Sequence, residues 1–440
     1  MGTVEGFKRG LMLITLAALV LRVGYILVER GRPLSVDGFY YHFAAGALAD
    51  GSGFVSPFGG GPIALHPPGW PLVLSLLSSI GMRSVIAHQV FACAIGAGSV
   101  ALVGLAGRAV AGRCVGLISA GLAAVNPTFW LYERPLLSEV LVLPLVATMV
   151  QVAHRHWRRP SARTAASLGA VCGLLTLVRS EQVLQLGLVL LPVVLLAGMH
   201  AIDRRSRITW CFLGLTVGLA VVAPWTLYNA NRFEEPVLLT TNFGLTARIA
   251  NCPGSYEGEY LGHLDDTCYY VLDSAGGDES VSDLELRDKA LDYAMDNRSR
   301  LPFVLAAREG RTWGVFRPLQ QARLDATFGN DALLVHHASF VVYWMLVPCA
   351  AVGALLLRRR RAVLPLLLLA ASITTVTLAT AITLGQPRIR VPAEVLLTIL
   401  AATAIEAAVG RSSGGQRVDV AGEPDRSPDQ RAPSSALATP

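Results

Sequence analysis

The chain has 440 residues, of which 53% are hydrophobic and only 15% charged, whereas soluble domains carry about 25% charged residues. That composition excludes a secreted enzyme, a DNA-binding factor and a cytosolic dehydrogenase, and places most of the chain in lipid. The net charge of +6 rests on thirty-five Arg and two Lys, Lys8 and Lys289, and its distribution follows membrane topology rather than nucleic acid.

Each membrane crossing takes about 20 apolar residues. Windows of that kind fall at 10–28, 84–107, 114–131, 137–153, 164–178, 183–199, 209–228, 335–357, 362–383 and 391–409. They predict an all-α polytopic membrane protein with about 10 transmembrane helices and a small α/β extracytoplasmic region. The first window follows Lys8 and Arg9, as a signal peptide would. It lacks a small-residue cleavage site and carries Arg22, so it reads as a retained helix. Residues 70–80 are apolar but too short to span and read as a half-helix. With a cytoplasmic N-terminus, the inside segments 1–10, 108–113, 154–164, 200–208 and 358–361 hold 15 Lys/Arg. The outside segments 30–70, 131–137, 179–182 and 384–390 hold 6. This is the positive-inside bias of a multi-pass protein with both termini cytoplasmic; the preference for Arg over Lys and the absence of an evident organelle signal suit a bacterial plasma membrane.

The organisation that follows has four parts. Residues 1–228 form an N-terminal membrane module with a catalytic outer loop at 30–70. Residues 229–334 form an extracytoplasmic region with 17 Asp/Glu against 10 Lys/Arg. It is expected to be strand-like at Val237-Leu238-Leu239-Thr240-Thr241, then helical from about Asp283 to Phe316. Residues 335–409 supply the last transmembrane helices, and 410–440, rich in Ser, Pro and Gly, read as a disordered cytoplasmic tail. Five of the seven Cys lie in or beside helices. Cys252 and Cys268 fall in the outer region, where an oxidising exterior permits a disulfide between them.

Polar residues at the outer helix ends are the candidates for chemistry. After the first helix comes Ser35-Val36-Asp37-Gly38-Phe39-Tyr40-Tyr41-His42. On a helix, Asp37, Tyr40 and Tyr41 share one face, giving a base for a sugar hydroxyl beside rings to stack on. The alternative is that Asp37 only caps the helix. The loop ends in His66-Pro67-Pro68-Gly69-Trp70-Pro71, an extended approach with Trp70 suited to the interfacial belt. There His66 either contacts a phosphate or metal, or bonds a loop carbonyl. The turn from Trp130 to Glu139 holds Glu133, Arg134 and Glu139. Glu139 lies inside the hydrocarbon edge, where an ionisable group tends to be functional, unless it only pairs with Arg134 or Arg179. Arg179-Ser180-Glu181 repeats the Arg/acid pairing. Arg388 and Arg390, in the last outer turn, run against the positive-inside bias. They call for an anion, either a lipid phosphate or the acids of 229–334.

Taken in order, these motifs resemble a known family. They are Asp-x-x-Tyr-Tyr after the first helix, Pro-Pro-Gly-Trp-Pro before the second, a Leu-Leu-Ser-Glu turn and an Arg-x-Glu turn. Pro224-Trp225 with Asn229, the run from Val237 to Gly244, and a closing Arg-Ile-Arg-Val-Pro complete the set. The set resembles the GT-C superfamily of integral-membrane glycosyltransferases, nearest its bacterial protein-O-mannosyltransferase and aminoarabinose-transferase group, over residues 1 to about 409. The resemblance implies a polyprenyl-phosphate-linked sugar donor and an acceptor on the outer side: a cell-envelope glycan, a lipid or a protein. It also implies inverting transfer, membrane lipid as surroundings and no nucleic acid. Asp37 is then the base, with Glu139 and Glu133 as further acids. Arg388, Arg390, His66 and Arg179 would bind the donor phosphate. Tyr40, Tyr41, Asn242 and Asn251 would line the substrate site, although both Asn also suit turns. The resemblance demands no cofactor, although some relatives hold a divalent cation. The chain departs from the pattern at Gly38, where many relatives carry a second acid, and at His66, where Lys is common. The rival class is a polytopic transporter or lipid-linked-sugar flippase. Against it, polar residues collect at one face and no pair of broken helices in matching halves is evident.

Overall fold

The apolar runs fold as helices whose ends follow local capping. The computed structural model describes residues 4–59, 61–265, 268 and 277–412. The N-terminal half comprises α1 (Val4–Val28), α2 (Val36–Ala49), α3 (Gly69–Ser79), α4 (Val85–Ala111), α5 (Arg113–Val125), α6 (Glu139–Arg158) and α7 (Ala162–Val178). There follow α8 (Leu191–Leu196), α9 (Arg204–Asn229), α10 (Asn242–Ala250), α11 (Pro253–Tyr256), α12 (Glu279–Asp296) and α13 (Leu301–Thr312). The chain closes with α14 (Pro318–Gly329), α15 (Leu333–Arg359), α16 (Val363–Ile382) and α17 (Val391–Ser412). The expected tail is thus helical to Ser412, and residues 413–440 lie outside the described residues.

Six segments are long and apolar enough to cross a membrane: α1, α4, α9, α15, α16, and Pro387–Gly410, which includes most of α17. The other four expected windows are helical, but each fails on length or polarity. At the end of α5, the Asn126 side chain accepts from Thr128 N and Pro127 opens a 3-10 turn. α6 carries Glu139 at its start and Arg155 and Arg158 in its last turn. α7 has 17 residues. Residues 180–196 break into 3-10, π and α pieces.

Small residues set the closest helix approach. A Cβ on Gly169 would lie 1.9 Å from the Gly214 carbonyl oxygen, and one on Gly173 would lie 2.5 Å from that of Gly218. The α7 and α9 backbones therefore touch along a glycine seam, a packing mode suited to lipid, where van der Waals contact replaces the hydrophobic drive.

The region 229–334 corrects the expected α/β character. Among the described residues there is no strand, only an isolated bridge between Val55 and Pro62. Val237–Thr241 is bent at Leu238, Leu239 and Thr241, and its backbone is bound outside any ladder. Trp225 Nε1 donates to Leu239 O at 2.7 Å, Thr226 Oγ1 donates to Leu238 O at 2.8 Å, and Thr241 N donates to Ala64 O at 2.9 Å. The expected amphipathic helices are present as α12 and α13. Cys252 and Cys268 form a disulfide, closing a loop just before the stretch that leads to α12.

Candidate active site

A cavity of about 1080 Å³ opens where α2, the 130–138 turn, residues 179–184, α10, α14 and the 382–390 turn converge. Asp37, His66, Arg179, Glu181 and Arg388 line it.

Local structure brings Asp37 there. The residue that caps α2 is Ser35, whose hydroxyl accepts from Gly38 N at 3.3 Å. Asp37 is thereby left in the first helical turn with its carboxylate free to face the cavity. Gly38 also explains the missing second acid, since a Cβ there would lie 1.9 Å from the Pro135 carbonyl oxygen. The close approach of α2 to the 130–138 turn leaves no room for another side chain.

The charged groups form one continuous series. His66 Nε2 lies 3.4 Å from Asp37 Oδ1, and Arg388 Nη2 donates to Asp37 Oδ2 at 2.9 Å. Arg388 Nε is 3.1 Å from Glu139 Oε1. Arg179 bridges onward, bonding Glu139 through Nη1 and Glu181 through Nε, the latter at 2.5 Å. Asp37 is about a quarter exposed, at 26%, while Glu139 is buried at 1%. Burial by itself raises the Asp37 carboxyl. The Arg388 guanidinium and His66 overturn that effect and hold it well below the usual carboxylate range. Asp37 is therefore a carboxylate at neutral pH.

The turn that carries Arg388 is held from the 229–334 side. Gly385 N donates to Gly262 O at 2.8 Å, and Arg308 Nη1 donates to Ala381 O at 2.9 Å. Gly262 belongs to the disulfide-closed loop, so residues far apart in sequence fix the position of Arg388.

The remaining candidates separate clearly. Tyr41 lines the cavity, and Tyr40 and Tyr41 flank the His66 ring with centroids at 5.3 and 5.1 Å. Tyr40 itself is fully buried and not on the cavity wall. Asn242 lines the cavity. Asn251 lies away from it, donating to Ala247 O at 2.7 Å and accepting from Tyr256 Oη at 2.8 Å. Arg390 reaches the lining, yet its guanidinium is 2.9 Å from Glu394, donates to Thr312 O at 2.8 Å, and covers the Tyr343 ring. Glu133 points into the helices, where Arg22 Nε donates to it at 2.9 Å. Trp70, expected in the interfacial belt, is instead fully buried, with Nε1 donating to Leu136 O at 2.7 Å. The bond satisfies the indole and ties α3 to the 130–138 turn. Glu181, which the sequence offers only as a partner of Arg179 in the Arg-x-Glu motif, also lines the cavity.

Asp37, Glu139 and Glu181 are each paired with a guanidinium, and the second Glu139 oxygen is buried without a hydrogen-bond partner. Among the described residues, the closely grouped potential ligands are Cys252, Asp265 and Cys268, and there both sulfurs are joined in the disulfide.

Residues 65–228 match the family model described as dolichyl-phosphate-mannose-protein mannosyltransferase. No curated protein matches the chain. Among solved structures it is similar to the oligosaccharyltransferase AglB of the archaeon Archaeoglobus fulgidus, in complex with an inhibitory peptide and a dolichol-phosphate. Identity there is 13% and the TM-score 0.51, over 94% of this chain and 52% of that one. For the Archaeoglobus fulgidus oligosaccharyltransferase in complex with Zn and sulfate, identity is 14% and the TM-score 0.52, over 92% and 49%. A looser likeness, at 16% identity and TM-score 0.43 over 93% and 79%, is to ArnT from Cupriavidus metallidurans bound to undecaprenyl phosphate. The chain spans about half the length of the oligosaccharyltransferases it resembles. The chain thus shares the fold of these oligosaccharyltransferases, and its residues 65–228 match the mannosyltransferase family model.

Proposed function

We propose that the chain transfers a sugar from a polyprenyl-phosphate donor to an acceptor on the extracytoplasmic side, by inverting displacement with Asp37 as base. The acceptor is a cell-envelope glycan, a lipid or a protein. The observation that carries this reading is the Asp37–Arg388 pair on the wall of a large cavity, backed by Glu139 and Arg179. The positive-inside count supports a multi-pass membrane protein with the cavity on the extracytoplasmic side and both termini cytoplasmic.

The chemistry follows from the two sides of the pair. Asp37 accepts a hydrogen bond from the acceptor hydroxyl, whose oxygen attacks the anomeric carbon opposite the phosphate. A carboxylate this acidic does not deprotonate an alcohol in advance. It takes the proton late, as the C–O bond to phosphate breaks and the sugar gains oxocarbenium character. The electron pair of that bond leaves with the polyprenyl phosphate. Each guanidinium carries five N–H groups, and Arg388 and Arg179 each spend two on the acids. The rest remain for the phosphate oxygens, whose growing charge they stabilise in a water-poor site. His66, flanked by the two tyrosines, lies 3.4 Å from the other carboxylate oxygen of Asp37. We derive no step through a divalent ion.

The test is purified protein with polyprenyl-phosphate sugars and membrane acceptors. The expected product carries the anomeric configuration opposite to the donor's. Retained configuration, or no transfer with any donor, overturns the proposal.

A further inference from the structure

The cavity has a second polar wall, on α14 and the start of α15, that the transfer chemistry above leaves unused. Gln321, Asp325, Phe328, His336 and Phe340 line it. Asp325 and Phe328 are three apart on one helix, and His336 and Phe340 four apart on the next, so each polar group shares a face with an aromatic ring. Asp325 Oδ1 accepts from Gln321 Nε2 at 2.8 Å. Among the described residues, no donor reaches its other oxygen. The His336 side chain is only 9% exposed, and its Nε2 has no hydrogen-bond partner; the nearest carboxylate oxygen, Asp331 Oδ2, lies 3.7 Å away, while Arg134 bonds Oδ1 of the same group. A buried ring nitrogen on a cavity wall without a partner is costly unless a ligand supplies one.

The wall's chemistry narrows the ligand. Of its nearby cations, Arg390 is bound to Glu394, Thr312 O and the Tyr343 ring, and Arg311 to Leu261 O, Glu259 O and the Gln320 and Gln321 amides. Burial raises the Asp325 carboxyl, countered by His336 and by the Gln321 bond. An acid and an imidazole on one wall, where both nearby guanidiniums are bound elsewhere, disfavour phosphate and suit hydroxyl groups, which both donate and accept. The flanking phenyl rings match the apolar C–H face of a sugar ring.

We propose that Asp325 and His336 form a second subsite of this cavity, which binds the vicinal hydroxyls of a sugar ring. The ring belongs either to the donor's glycosyl group or to a glycan acceptor. The inference rests on the transfer reading for its place in a reaction, but its binding test does not depend on it.

The full chain in lipid nanodiscs is mixed with methyl glycosides of mannose, glucose and arabinose and examined by saturation-transfer NMR. At least one glycoside should receive saturation from the wild type. In Asp325→Ala and His336→Ala its Kd should rise about tenfold, the worth of one such hydrogen bond. No saturation from the wild type, or unchanged binding in both variants, overturns the subsite. If either alanine variant fails to fold, Asp325→Asn and His336→Gln replace it with the same expectation in direction. Titration with polyprenyl phosphate, bare and mannosylated, separates the sources. Weakened binding of only the mannosylated lipid assigns the ring to the donor, and unchanged binding of both assigns it to the acceptor. Failure of the wild type to bind either lipid sinks the donor reading, while the glycoside result still decides the subsite.

Discussion

Two clusters of arginine and acid lie within one fold and use the same functional groups to different ends. In the first, Arg22 meets Glu133 at 2.9 Å with side-chain exposures of 0% and 2%. Arg22 also donates to the Ala18 and Phe129 carbonyls. Three of its five N–H groups are thus spent inside the helices, and neither residue lines the active-site cavity. In the second, Arg388 and Arg179 are shared among three carboxylates along a cavity wall, with N–H groups in reserve. The lesson is that pairing alone does not mark function. Spare hydrogen-bonding capacity facing an open volume does, whereas a sealed pair is an expensive tie between elements.

The comparison breaks most visibly at Asp37. Replacing it with Asn should lower kcat by about 10²–10⁴-fold, the usual worth of a positioned base, with the thermal midpoint unchanged. Arg388→Ala should cost about 10²–10³-fold in transfer, as for other donors to a developing anion, and should raise the donor KM as well. Unchanged donor kinetics in that variant would remove the phosphate role. In the sealed cluster the pattern should reverse. Glu133→Ala strands Arg22 and should cost about 3–5 kcal/mol of stability, read as a lower unfolding midpoint, with donor KM retained in the folded fraction. A smaller loss, about 3 kcal/mol for a loop of about this size, should follow Cys252→Ser with Cys268→Ser. Because that loop braces the turn carrying Arg388, donor KM should also rise. A variant that is less stable but binds donor normally would show that the brace is dispensable.

The subtlest difference is in pH. Burial works to raise Asp37, yet Arg388 and His66 hold it below the ordinary carboxylate range. Since the ionised form is the base, transfer should persist as pH falls through about 4 and fail only at lower pH. Removing the cation in Arg388→Gln raises that carboxyl, so the acid limb of the residual activity should move up by about 1–3 pH units. An acid limb that does not move would mean that Arg388 does not set the charge state of Asp37.

Much of this was legible in the chain. Apolar windows located the helices, and the two outer arginines that defied the positive-inside bias led to Arg388. What hydropathy could not supply was pairing across long separations. Asp37 and Arg388 are 351 positions apart, and only the folded bundle shows that Arg388 meets an acid of α2 while Arg390 turns inward to Glu394. Nor could a residue type reveal which cap was used: Ser35 took that role, two positions before the acid that seemed to want it. The strand expectation at 237–241 failed for a related reason. Val, Leu and Thr favour extended backbone, but Trp225, Thr226 and Ala64 met its polar groups without a second strand. His336 and Asp325 drew no notice because neither sits in a motif; their meaning comes from a shared cavity wall.

The central claim is that Asp37, besides pairing with Arg388, acts as a base. Donor affinity and single-turnover sugar transfer, measured side by side for the wild type and Asp37→Asn, test it most directly. The account predicts donor bound at least as tightly by the variant, with transfer lost. Transfer at the wild-type rate with donor bound would contradict it.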